Sequence, residues 1–176
     1  MTYYGSKQLA DSFRTVRTNT IAIAEEIPED KYSFKATPEV MSVAEMLAHI
    51  AVNPLWQIDL HRDAIDHVDR AIFMDRVQKS QVAEKALKTK DEIVTALRDG
   101  GEEFAAFLES LDEAALAGVI SFPPPVQPSS RTRFEMVLGV KEHEMHHRGQ
   151  LMLIQRLLGQ VPPLTRRRQE RLAVAR

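Results

Sequence analysis

Two imidazoles four residues apart, His143 and His147, stand in the run His143-Glu144-Met145-His146-His147-Arg148-Gly149-Gln150. Residues four apart on an α-helix lie nearly above one another, so both rings can offer a nitrogen to one ion. The pair falls on the stripe Met136, Val140, His143, His147, Ile154, whose apolar members must face a core. A buried imidazole is costly unless its nitrogens are satisfied, and chelation satisfies one on each ring. A lone core histidine reads as structural, whereas two at this spacing on the apolar side read as metal ligands. The third ligand must come from elsewhere. His49, within Met46-Leu47-Ala48-His49-Ile50-Ala51, has the apolar setting that role requires. His61 and His67 lie among Asp59, Arg62, Asp63, Asp66 and Asp69, a sequence typical of a solvated face. His146 is rotated about 100° from His147 and belongs at the flank.

The chain has no cysteine, so disulfides, thiolate ligands and a cysteine nucleophile are all excluded, and any metal site is nitrogen and oxygen in character. Three imidazoles leave a coordination position open, the arrangement of a catalytic rather than a closed structural ion. Water there would serve hydrolysis.

These histidines need helices to position them. Leu9, Phe13, Val16, Thr20, Ile23 and Ile27 recur at spacings of four and three, predicting a helix from near Ser6 that halts at Pro28. Ser42 with Glu45 forms a capping-box pattern opening a second helix that carries His49, with a kink or break expected at Pro54. Leu60 to Lys88 is polar and reads as a continuation of that helix followed by a long loop. Thr89 with Glu92 opens a third helix ending near Asp112, with Gly100-Gly101 a weak point. Proline-rich Phe122 to Ser130 makes a crossover, and Thr132 with Glu135 caps a fourth helix that stops at Gly159 and Pro162-Pro163. The fold class is therefore all-α, a four-helix bundle with long crossover connections, spanning residues 1–163 and followed by a basic tail, 164–176, read as solvated.

The length of 176 residues suits one domain, and a net charge of −2 gives no electrostatic case for a nucleic-acid partner. The N-terminus shows no charged segment followed by an apolar run, and no stretch approaches the ~20 apolar residues that span a bilayer. No membrane partner and a cytoplasmic location are expected.

Ser42-Val43-Ala44-Glu45-Met46-Leu47-Ala48-His49 on an early helix, with His143-Glu144-Met145-His146-His147-Arg148-Gly149-Gln150-Leu151 on the last, resembles the DinB family, grouped with bacillithiol and mycothiol transferase-like proteins. The resemblance covers nearly the whole chain, and His-x-x-x-His-Arg-Gly-Gln is its more specific motif. It implies a four-helix bundle with a long crossover, a divalent metal such as zinc or nickel on His49, His143 and His147, and a homodimer. It also implies a small-molecule substrate and a transferase using a low-molecular-weight thiol. A metal-dependent hydrolase and a non-catalytic, stress-associated metal-binding dimer are the alternatives. No catalytic side chain is singled out.

His143-Glu144-Met145-His146-His147 also matches the His-Glu-x-x-His zinc-protease pattern, in which the glutamate is a general base. No strand is expected to hold a peptide, so this reading ranks low. Glu144 is turned about 100° from His143 and reads as a polar residue behind the site. Gly149 reads as a close-packing position, with Arg148 and Gln150 bonding at a bundle or dimer surface. Asn53 is a candidate donor near the metal, and Trp56 either lines a pocket or packs in the core or a dimer contact.

Overall fold

The structure is a computed structural model and describes residues 4–174. Helix α1 covers Ser6–Glu26, α2 Val43–Arg62, α3 Arg70–Ala86, α4 Lys90–Ser110, α5 Glu113–Ala117, α6 Arg133–Leu157 and α7 Pro163–Val174. Two three-residue strands, β1 (Val119–Ser121) and β2 (Ser130–Thr132), pair antiparallel and clamp the proline-rich connection. Their presence corrects the expectation of a chain without strands.

Four of these helices form the bundle. α1 and α2 each pack against both α4 and α6, and α3 lies outside, against α2. All three expected capping boxes are formed. Ser42, Thr89 and Thr132 each accept the backbone amide three residues on, while Glu45, Glu92 and Glu135 reach back to the cap amides. These reciprocal bonds satisfy orphan donors of the first turn and fix where α2, α4 and α6 begin. Every member of the α1 stripe, Leu9, Phe13, Val16, Thr20, Ile23 and Ile27, is buried. Gly159 adopts φ 77°, the left-handed conformation that ends α6 without a Cβ penalty.

No break interrupts α2 at Pro54 or α4 at Gly100-Gly101. The long loop expected after Leu60 is corrected. The polar stretch after Leu60 contains a 17-residue helix, α3, started by Asp69 accepting from the Ile72 amide at 2.8 Å. It has no buried residue, so it shows none of the apolar stripe by which the other helices are legible. The basic segment after Pro163 is helical through Val174, and Arg166 pairs there with Glu26 at 2.5 Å. Among the described residues no helix is long and apolar enough to cross a membrane.

Two apolar clusters fill the bundle. One gathers Ile23, Leu47, Ile50, Leu97 and Ile154, the other Phe13, Ile58, Phe104, Val137 and Val140. A smaller cluster, Leu60, Val68, Ile120 and Met136, seats the strand pair.

Candidate metal centre

α2 and α6 are neighbours, and their facing stripes bring His49, His143 and His147 together. Nε2 of His143 lies 3.1 Å from Nε2 of His49 and 3.1 Å from Nε2 of His147. One potential ligand atom from each ring falls within 4.8 Å of the others. A tetrahedral ion with bonds of about 2.0–2.1 Å would hold its nitrogens roughly 3.3 Å apart, so the cluster has the dimensions of such a site. Among the described residues no fourth histidine or carboxylate joins the group.

The outer nitrogens decide which way the rings face. Nδ1 of His49 lies 2.8 Å from Oε1 of Glu84, and Nδ1 of His147 lies 2.8 Å from Oε1 of Gln150. An oxygen of either kind accepts the Nδ1 proton, which leaves the Nε2 lone pairs pointing inward. Nδ1 of His143 is buried with no partner. Burial first, then the neighbouring imidazoles His147 and His49, pushes His143 down to about 4. Burial also lowers His147, against an opposing bond from Gln150. Rings held neutral at pH 7 present lone pairs rather than protons, and crowded inward lone pairs are a donor set that fits a divalent cation.

Two cavities flank the cluster. One, of about 320 Å³, lies between α2 and α3 and is lined by His49, Trp56, Phe73 and Glu84. The other, of about 280 Å³, is lined by His143, Trp56, Phe73, Phe122 and Val140. Asn53, Trp56 and Phe73 border both, and the surface that their walls present is mainly apolar.

Residues 12–151 match the DinB superfamily profile. The chain belongs to the DinB superfamily. Over 154 residues it is 27% identical to an uncharacterised protein, YjoA of Bacillus subtilis (strain 168), spanning 88% of this chain and 91% of that protein. The crystal structure of the DinB-like YjoA superposes with a TM-score of 0.66 at 23% identity, covering 88% of this chain and 93% of that one. A mycothiol-dependent maleylpyruvate isomerase gives a TM-score of 0.64 at 12% identity, covering 86% of this chain and 63% of that one. The colibactin self-resistance protein ClbS, solved in complex with double-stranded DNA, gives 0.65 at 13% identity, covering 89% and 98%. These structural likenesses carry the fold.

The remaining histidines separate as follows. His67 is exposed and bonds Oγ of Ser121, and His146 is exposed beside Gln150. His61 is not in solvent. Its ring stacks on Phe107 and its Nδ1 meets Arg133 at 2.6 Å, and burial, then the Arg133 charge, pushes it down to about 4. Gly149 is exposed, and a Cβ there would meet nothing within 4 Å, so it is not a close-packing position within the chain. Gln150 braces His147, a more specific task than a surface bond. Glu84, on the unforeseen α3, is the site residue that sequence reasoning missed. Its sole sequence signal was the Asp69 cap that starts α3.

Proposed function

We propose that this protein is a metal-dependent enzyme in which His49, His143 and His147 hold a divalent ion, zinc or nickel, and that it transfers a low-molecular-weight thiol to a small electrophile. The observation that carries the reading is three inward-facing imidazoles set between two apolar cavities, each lined by one of them. A divalent ion held there would lower the pKa of a thiol at its open position. The chain itself supplies orientation and an apolar lining. Glu84 and Gln150 hold the tautomers of His49 and His147, and the rings of Trp56 and Phe73 border both cavities. A cysteine-free chain suits a reaction whose sulfur arrives with the cosubstrate. The mycothiol-dependent relative supports a thiol as that cosubstrate.

A homodimer belongs to the same proposal. Leu153 and Leu157, one turn apart on the same side of α6, are each 58% exposed. The test is to load the purified protein with zinc or nickel and follow thiol consumption against a panel of small electrophiles, with molar mass measured by light scattering. Metal-dependent S-alkylation lost in His143→Ala supports the transferase. Metal uptake without thiol consumption across the panel refutes it.

A further inference from the structure

The middle of the bundle contains a buried cation that plays no part in the site's own bonding. Arg17 of α1 is 3% exposed, and Glu144 of α6, its partner, 2%. The guanidinium Nε donates to both Glu144 oxygens at 3.1 and 3.0 Å. Nη2 donates to Glu144 Oε2 at 2.9 Å and to the Ile50 carbonyl of α2 at 3.2 Å. Nη1 donates to the Leu97 carbonyl of α4 at 2.8 Å. One side chain thereby ties its own helix to the other three of the bundle, between the two apolar clusters.

The chain is adapted to this residue at two further positions. Pro54 has no amide proton to give the carbonyl four residues back, so Ile50 keeps its oxygen available within an unbroken helix. Gly101 faces the Arg17 stem, where a Cβ would sit 2.7 Å from Cγ and 3.2 Å from Cδ. A buried ion pair is weak evidence for stability, since apolar replacements of similar volume often do as well. A directional role accounts better for so many accommodations.

The two tie points define that role. Ile50 and Glu144 each directly follow one of the clustered histidines, His49 and His143. Successive helical residues differ by about 100° and 1.5 Å of rise, so α2 and α6 each turn one residue toward the cluster and the next toward the same guanidinium. We propose that Arg17 is a positioning residue for the three-histidine cluster. Its bonds to Ile50 and Glu144 set the rotation and separation of α2 and α6, and so the 3.1 Å approach of His49 to His143. The inference rests on the reading that this cluster binds a metal.

Two variants test it. Arg17→Met combined with Glu144→Leu removes both charges together and leaves none stranded, whereas Gly101→Ala keeps both and displaces the Arg17 stem. Urea unfolding in chelator gives metal-free stability, and Co(II) titration gives affinity together with the ligand-field spectrum. Wild type is expected to show the absorption of a tetrahedral or five-coordinate centre. Both variants are expected to remain folded, bind Co(II) about tenfold or more weakly, and show an altered band. Folded variants with wild-type affinity and spectrum would overturn the positioning role while leaving the metal reading intact. Should the double variant fail to fold, Gly101→Ala decides on the same readouts. A wild-type protein that takes up no Co(II) overturns the metal reading and this inference with it.

Discussion

Glu84→Ala separates the site from the scaffold. Glu84 accepts from His49 at 2.8 Å, and both side chains are about a quarter exposed, at 23% and 24%. α3 contributes no buried residue, so removing this carboxylate should change metal-free stability by no more than about 1 kcal/mol. Loss of such an outer partner typically weakens metal binding about 10- to 100-fold, or roughly 1.4–2.7 kcal/mol. Zinc at about 1,000 times the wild-type Kd stabilises the folded state by roughly 4.1 kcal/mol, a shift of about 8–16 °C for a chain of this size. At the same zinc concentration the variant should keep only about one to two thirds of that shift. Differential scanning fluorimetry with and without zinc measures both numbers. A full wild-type zinc shift in Glu84→Ala, or a large loss of stability in chelator, would refute the argument that Glu84 acts through His49.

Other consequences follow from individual side chains. His61 is depressed to about 4 in the folded protein against about 6.5 unfolded, so its contribution is complete above pH 6.5 and is lost as pH falls toward 4. An NMR titration of His61 with a midpoint near 6.5 would contradict this; the expected midpoint is near 4, with the urea midpoint falling across the same window. Trp56 is the single tryptophan and borders both cavities, so nickel or cobalt bound at the histidines should quench its emission saturably. Unchanged emission at full metal occupancy would place the ion elsewhere. Gly149→Ala should stabilise the monomer by roughly 0.5–1 kcal/mol, because helix-interior glycine costs about that much and a Cβ there meets nothing. Destabilisation that depends on protein concentration would instead put Gly149 inside the dimer contact.

The legible parts of the chain were those with periodic or reciprocal signals. Ser42/Glu45, Thr89/Glu92 and Thr132/Glu135 marked three helix starts because each cap needs two residues at fixed spacing. His49, His143 and His147 stood out because polar rings on apolar stripes require a reason. α3 was illegible because it lies on the outside of α2 and buries nothing fully, which also concealed Glu84. Arg17 was hidden for the opposite reason. It occupies the α1 core in a layer where charge is unexpected, and its partner Glu144 lies 127 residues away. Pro54 reads as a kink or break and Gly100-Gly101 as a weak point, and α2 and α4 run on through both. One frees a carbonyl for Arg17 and the other makes room for its stem.

The proposed function stands on His49, His143 and His147 together holding one metal ion. Elemental analysis of untagged protein purified without chelator, beside the His49→Ala, His143→Ala, His147→Ala triple variant, tests it most directly. Near-stoichiometric zinc or nickel is expected in the wild type, and its loss from a variant that still folds as a helical bundle. Equal metal in both proteins, or none in the wild type even after zinc and nickel are supplied, would contradict it.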